Sequence, residues 1–350
     1  MKSFRIETYG NALKEFSTDA PAPQGTEILL KVRAAGVCHT DLHIWDGGYD
    51  MGSGKMLKMA DRGQQLPHTM GHETVGEVVS FGPQCTEVKP GDVRLIYPWI
   101  GCGECAVCRA DTEQLCPSPR YLGVFRHGGY ADHILVPHPR YLVDIGSLSP
   151  EQAAPYACSG LTAFSALKKL GRERLAEPIL IVGAGGLGLM CLSLLRAMSG
   201  RGAIVADIDP VKREAAKAAG ALAVVDAGAA DAAAQVAKAA GGPLWSVIDF
   251  VGGPSSWGLA LATLSKGGYY VMVGLYGGET MLSLPAIPLR ALTVFGSFVG
   301  SRPELKELLA LANTGKIQPI PITKRPLREV NDALLDLRNG KQVGRAILIP

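Results

Sequence analysis

The stretch Ile179-Leu180-Ile181-Val182-Gly183-Ala184-Gly185-Gly186-Leu187-Gly188 (ILIVGAGGLG) decides the fold of this chain. Four aliphatic residues are too few for a helix and read as a short buried strand. They run straight into G-x-G-x-x-G, after which Gly188–Met198 keeps a helical apolar period. In such a strand–turn–helix junction, Gly183 permits the tight turn and Gly185 lets the backbone approach a pyrophosphate. Gly188 allows close helix–strand packing. The amides of Gly186 and Leu187 open the helix and face the phosphate charge. With 43 glycines in the chain, the pattern alone is weak. Its context strengthens it: the next strand, Ala203–Ala206, runs into Asp207, 19 residues past Gly188, where a carboxylate holds ribose hydroxyls. The plainer alternative is an ordinary glycine turn in a parallel sheet. A carboxylate at Asp207 repels a 2′-phosphate, which favours NAD over NADP. Lys212 and Arg213 weigh the other way.

Outward from this junction, strand and helix alternate. Val211–Gly220 and Asp231–Ala240 read as helices, and Ala223–Val225, Val247–Phe250 and Tyr269–Val273 as strands. That order predicts a doubly wound parallel sheet with helices on both faces. Before it the texture is different. Glu27–Ala34 alternates, Thr74–Ser80 is an apolar run, and Asp92–Tyr97 follows a Pro-Gly turn, which together predict a mostly β, loop-rich domain. After Phe295, the Arg302–Leu311 helix and the strand-like Arg345–Ile349 are expected to rejoin the first domain. The division expected is therefore 1–159 with 298–350 for the β domain, and 160–297 for the dinucleotide-binding domain.

Composition narrows the function. Lys plus Arg total 35 against 32 for Asp plus Glu, a formal charge of +3, which argues against a nucleic-acid binder. No stretch reaches the roughly 18 uncharged apolar residues of a membrane helix. The start, MKSFRIETYGNALKEF, lacks the apolar run of a signal peptide, so a cytoplasmic location is expected. In a reducing compartment the eight cysteines point to metal or catalysis rather than disulfides.

Four of them, Cys102, Cys105, Cys108 and Cys116, form C-x2-C-x2-C-x7-C. Four thiolates at this spacing can wrap a tetrahedral zinc with no open position, the pattern of a structural site. An iron–sulfur ligand set and unbound thiols are the alternatives. Two more lie alone: Cys38 opens Cys38-His39-Thr40-Asp41-Leu42-His43, and Cys158 precedes the nucleotide-binding half, with Gly71-His72-Glu73 between. Two thiolates and an imidazole make the three-ligand set of a catalytic zinc, although spacing alone does not show that they meet. Cys85 and Cys191 match no ligand position.

These motifs, with CSGLTAF at Cys158–Phe164 and Val343-Gly344-Arg345, give the chain a resemblance. It resembles the zinc-dependent medium-chain alcohol dehydrogenases along essentially its full length, and looks most like the bacterial and yeast-type members. The resemblance implies a GroES-like, mostly β catalytic domain closed over a Rossmann domain, with the active site between them. It implies two zinc ions per subunit, one held by Cys38, His72 and Cys158 and one by the four-cysteine lobe. Glu73 is then expected behind the catalytic metal. Thr40 is expected to bind the substrate alcohol and start a proton relay through the cofactor ribose to His43. His39 and Arg345 are expected to contact the pyrophosphate, with Lys212 and Val273 further cofactor contacts. Trp45 and Trp99 are expected to line the substrate pocket, the alternative being plain core positions. Asp46–Leu66 departs from the compact pattern. It is expected to border the substrate entrance, with Met51, Met56, Leu57 and Met59 as an apolar wall.

The activity expected is reversible hydride transfer between primary or secondary alcohols and NAD, with no nucleic-acid or membrane partner. The rivals are a polyol dehydrogenase and a non-enzymatic zinc or nucleotide sensor. A homo-oligomer, a tetramer ahead of a dimer, is expected through the apolar run Leu282–Phe295.

Overall fold

The computed structural model describes all residues, Met1–Pro350. One sheet carries the parallel strands Ala223–Asp226, Ala203–Asp207, Ile179–Val182, Leu244–Asp249, Leu264–Met272 and Thr293–Gly296, in that spatial order. The first strand of the series, Ile179–Val182, lies in the middle, so the winding reverses beside it and opens a crevice at the strand ends. All four of its side chains are buried. Apolar clusters cover both faces, which is why the strand reads as an unbroken aliphatic run.

The second sheet runs Leu142–Asp144, Val93–Ile96, Glu73–Phe81, Ile28–Val37, Arg345–Ile349, Ile322–Pro326, with His133–Val136 also pairing Ile28–Val37. The C-terminal strand thus returns to pair antiparallel with Val37, Gly36 and Ala35. A continuous apolar core reaches from this sheet to one face of the parallel sheet, including Leu161, Leu167, Leu189 and Leu305. The second sheet thus builds a mostly β half and the parallel sheet a doubly wound half of one α/β chain. No helix is long and apolar enough to cross a membrane.

Two local features differ from the sequence reading. The strand expected at Glu27–Ala34 runs on to Val37, carried by pairing with Glu73–Phe81 on one side and the returning C-terminal strand on the other. A side chain at Gly36 would come 2.0 Å from the Glu73 carboxylate, so only glycine lets these strands meet. Next, His39–Asp46 forms a two-turn helix. Its first turn is closed by the Cys38 amide donating to Asp41 Oδ2 at 2.9 Å, and Gly47, in the left-handed region (φ 84°), ends it. The following Asp46–Leu66 segment is ordered as a small hairpin, Gly48–Asp50 with Met56–Lys58.

Candidate active site

Three elements deliver the ligand set. Cys38 sits at the junction of the Ile28–Val37 strand and the His39–Asp46 helix. His72 immediately precedes the Glu73–Phe81 strand, and Cys158 precedes the Ser159–Leu175 helix. Their ligand atoms lie within 4.8 Å of one another, and all three residues are buried. The Cys38 and Cys158 sulfurs are 3.9 Å apart with no disulfide. Two sulfurs at about 2.3 Å from one tetrahedral zinc stand roughly 3.8 Å apart, so the spacing fits that ion. Both ring nitrogens of His72 are buried; Nδ1 has the Asp41 carboxylate 3.3 Å away, while Nε2 has no partner. A buried polar atom is seldom left so, and a metal would satisfy it.

The electrostatics agree. The hydrogen bond from Cys158 holds the Cys38 thiol well below its usual range against the pull of burial, with Arg345 and His72 adding. The same bond and burial push Cys158 up, so the two sulfurs share one proton that a dication would displace. Burial works against a charged His72, but the Asp41 carboxylate, 3.3 Å from Nδ1, and Cys38 outweigh it and raise the imidazole.

Asp41 is the functional residue that sequence reasoning missed. It is fully buried, and its Oδ2 accepts from the Cys38 amide and from the Tyr130 hydroxyl, each at 2.9 Å. Its other oxygen faces His72 Nδ1, the arrangement that orients a metal-binding imidazole. The available signal was Asp41's place three residues after Cys38, where a helix's first turn turns back on the residue that caps it.

Glu73 points away from solvent, and its Oε1 accepts from Arg345 Nη2 at 2.9 Å and from the Ser159 amide at 3.1 Å. Burial raises its carboxyl to about 7, with Arg345 opposing. Arg345 is itself buried, its Nη1 donating to the Val37 carbonyl, while its Nε has no partner. The fingerprint lies beside it: a side chain at Gly186 would come 2.7 Å from the Gly344 carbonyl and 3.5 Å from the Arg345 guanidinium. Arg345 therefore bridges Glu73 and the dinucleotide loop. In that loop Gly183 is left-handed (φ 94°), Gly185 faces open space, and a side chain at Gly188 would strike the Gly183 carbonyl at 1.9 Å. Asp207 accepts from the Ala184 amide at 2.6 Å and the Asp209 amide at 2.9 Å, which locks its carboxylate at the loop. Lys212 is 3.9 Å from Asp209, and Val273 is buried at the end of its strand.

Thr40 and His43 are one helical turn apart after Cys38, while His39 is exposed. The His43 ring lies 4.7 Å from that of Tyr49, a hairpin residue the sequence reading passed over. Burial lowers the His43 imidazole below its usual range.

The two tryptophans part company. Trp99 packs 5.4 Å from His72 and donates to the Ala157 carbonyl, so it borders the ligand cluster. Trp45 does not show the pocket position expected of it. Its indole donates to the Asn11 carbonyl and carries the Arg338 guanidinium 4.1 Å above its ring, because the helix turns that face into the core. Met59 is likewise a fully buried core residue rather than part of an exposed wall, whereas Met51, Met56 and Leu57 are exposed on the hairpin.

The four-cysteine lobe closes on itself. Its sulfurs are 3.4 to 3.9 Å apart, and they accept from the amides of Glu104, Cys105 and Ser118 at 3.4 Å and of Cys102 at 3.2 Å. The Glu104 and Cys105 amides bring the Cys102 thiol down to about 6, while burial raises Cys108 to about 12. Glu113, buried behind the lobe, accepts from the Gly101 amide and the Tyr141 hydroxyl and pairs with Arg140. All four cysteines come from the one segment Cys102–Cys116 and make a complete tetrahedral set, which fits a closed site.

Residues 24–147 match the model of the alcohol dehydrogenase GroES-like domain, and residues 186–314 that of the zinc-binding dehydrogenases. The chain belongs to the zinc-dependent medium-chain alcohol dehydrogenase family. An NAD-dependent alcohol dehydrogenase of Sulfurisphaera tokodaii is 36% identical over 351 residues, covering 100% of both chains. The D-arabinose 1-dehydrogenase (NADP(+)) of Saccharolobus solfataricus is 31% identical, covering 100% of this chain and 97% of its own. The crystal structure of the alcohol dehydrogenase from Aeropyrum pernix superposes with a TM-score of 0.90 at 31% identity, with full coverage of both chains. Within this family the chain has the fold and the clustered cysteines of an oxidoreductase, and the sensor reading loses its ground.

Proposed function

We propose that the chain is an NAD-dependent alcohol dehydrogenase that interconverts primary or secondary alcohols and their carbonyls, with two zinc ions per subunit. The observation that carries this reading is the meeting of Cys38, His72 and Cys158 within 4.8 Å, beside the Arg345 side chain that also reaches the dinucleotide loop. When bound there, zinc supplies the Lewis acidity that lowers the pKa of an alcohol or polarises a carbonyl. Every other part of the task falls to the chain. Cys38 and Cys158 give two negative charges that balance the dication, and Asp41 fixes the His72 ring. Trp99 excludes water on one side of the cluster.

Glu73 neutralises Arg345, leaving the unpartnered Arg345 Nε for a phosphate oxygen. Thr40 would hold the substrate hydroxyl, and His43, kept neutral by burial and so ready to accept a proton, would be the exit of a relay that a bound cofactor's ribose would complete. His39, at the exposed start of the same helix, and Val273 complete the cofactor contacts. Support for NAD over NADP comes from the cations near Asp207: Arg213 is committed to Asp226 at 3.4 Å and Lys212 to Asp209.

Leu284 and Leu289 are exposed within the apolar run Leu282–Phe295, which ends in the edge strand Thr293–Gly296, and we assign a homo-oligomer, tetramer or dimer, to that edge. Eight free cysteines suit the reducing cytoplasm.

The test is NADH formation from NAD over a panel of alcohols, before and after removal of the less tightly held zinc by a chelator. Metal-dependent turnover upholds the reading. Turnover only with NADP would overturn the role of Asp207, and silence with both cofactors would overturn the reading itself.

A further inference from the structure

The crevice at the strand ends has two walls, and only one of them carries the glycine fingerprint. The strand order reverses between Ile179–Val182 and Leu244–Asp249, so a dinucleotide crosses the ends of both strands. Facing the fingerprint is the short segment Phe250–Gly253, which contains no charged residue. A side chain at Gly183 would come 3.1 Å from Val251 Cγ2, and the Phe250 amide donates to the Val182 carbonyl at 2.9 Å.

Beneath this segment lies Asp249, the last residue of its strand and fully buried. Its Oδ1 accepts from the amides of Val251 at 2.8 Å and Gly252 at 3.1 Å. Its Oδ2 accepts from the hydroxyls of Ser256 at 2.7 Å and Tyr270 at 2.6 Å. Burial, and then the Asp249 charge, raise the Tyr270 phenol, which keeps it a donor. The Asp249 carbonyl accepts from the Val273 and Gly274 amides at 2.9 and 3.0 Å. The two loops so held touch backbone to backbone. A side chain at Gly252 (φ 70°) would come 1.9 Å from the Gly274 carbonyl, and the Val251 and Gly252 carbonyls accept from the Tyr276 and Gly277 amides.

A buried carboxylate is costly unless hydrogen bonds fill its lone pairs, and here all four donors are neutral. The sheet itself does not require the charge. The register partners of Asp249 on either side, Val182 and Met272, are apolar. What an apolar residue could not do is hold two successive amides of the crevice wall.

Resting on the NAD-dependent reading, we propose that Asp249 is a positioning residue for the cofactor. Its Oδ1 sets the shape of Phe250–Gly253 opposite the fingerprint, while Oδ2, through Ser256 and Tyr270, anchors the carboxylate in the core.

That division of labour supplies the test. Asp249→Asn can keep an oxygen on the two amides while turning its NH2 toward the hydroxyls, so it loses the anchor and keeps the wall. Tyr270→Phe also removes only the anchor. Asp249→Ala removes both. The intact zinc-loaded protein and the three variants are titrated with NADH, read by its fluorescence, and unfolded in urea. Amide hydrogen exchange over Phe250–Gly253 is followed without cofactor. All three variants should unfold at lower urea. Only Asp249→Ala should exchange faster in that segment and bind NADH about ten- to a hundredfold more weakly, with Asn and Phe within about threefold of the unaltered chain. In turnover the same loss should fall on KM for NAD, with kcat at saturating NAD little changed. Should Asp249→Ala not fold, Asp249→Ser takes its place, since its shorter hydroxyl cannot reach both amides. Unchanged NADH affinity in Asp249→Ala, or affinity that falls in step with stability across all three variants, would overturn the assignment while NAD-dependent turnover of the unaltered enzyme still stands. An unaltered protein that binds no NADH would remove both.

Discussion

Replacing Asp41 by Asn isolates the residue on which the proposed metal centre turns. The substitution keeps shape and volume but takes the charge from a fully buried group. Three neighbours lose by it: the Cys38 amide at 2.9 Å, the Tyr130 hydroxyl at 2.9 Å, and His72 Nδ1 at 3.3 Å. An Asn oxygen can still serve the first two, so the cost concentrates on the imidazole. A hydrogen bond to a charged partner contributes about 1.5–3 kcal/mol, which is about ten- to a hundredfold in affinity. Removing a carboxylate that orients a zinc-binding histidine typically costs about the same. The assay is chelator competition on protein loaded with both metals. In Asp41→Asn, one zinc equivalent per subunit should transfer about ten- to a hundredfold more readily, while the equivalent in the four-cysteine lobe is unchanged and serves as an internal control. Unchanged affinity for both ions, or equal loosening of both, would refute the argument, the second outcome because it would report general unfolding.

Three further outcomes follow from particular contacts. Asp207→Ala should lower the NAD-to-NADP ratio of kcat/KM by about tenfold or more, since a charged acceptor at the ribose is lost; steady-state kinetics with both cofactors reads this. Glu113→Ala removes the buried acceptor of Gly101 and Tyr141 and leaves Arg140 without its partner, and should cost about 2–3 kcal/mol in denaturant unfolding. The third concerns acid. Burial lowers His68 from 6.5 to about 4, beside the ring of His127 at 5.7 Å, with Asp41 and Arg5 also in range. Since the folded chain resists protonating it, its contribution is complete above pH 6.5 and is lost as pH falls toward 4, about 3 kcal/mol in all. His68→Gln should flatten the stability profile across that window, measured by urea unfolding at a series of pH values.

What the sequence settled by itself is local. A run of aliphatics before glycines can pack only as a central parallel strand meeting a helix, because the glycine spacing and the two-sided burial of Ile179–Val182 express one geometry. The four cysteines of the lobe were legible for the same reason: all come from one short loop, so spacing nearly fixes the coordination they allow. The ligand set Cys38, His72 and Cys158 was readable as motifs, yet nothing in spacing could bring together residues 120 positions apart. That convergence is a product of the strand ends and helix starts that meet at the cleft.

Tertiary structure alone decided the rest. Trp45 and Trp99 are the same residue type near the same motifs, but a two-turn helix buries one against Asn11 and Arg338, while the other lies against His72. Asp41 looks like an ordinary charged residue in the chain, and nothing in the sequence pairs Arg345 with Glu73. They gain their tasks only because the fold buries each charge beside a partner, where low polarity makes a single contact decide orientation and protonation.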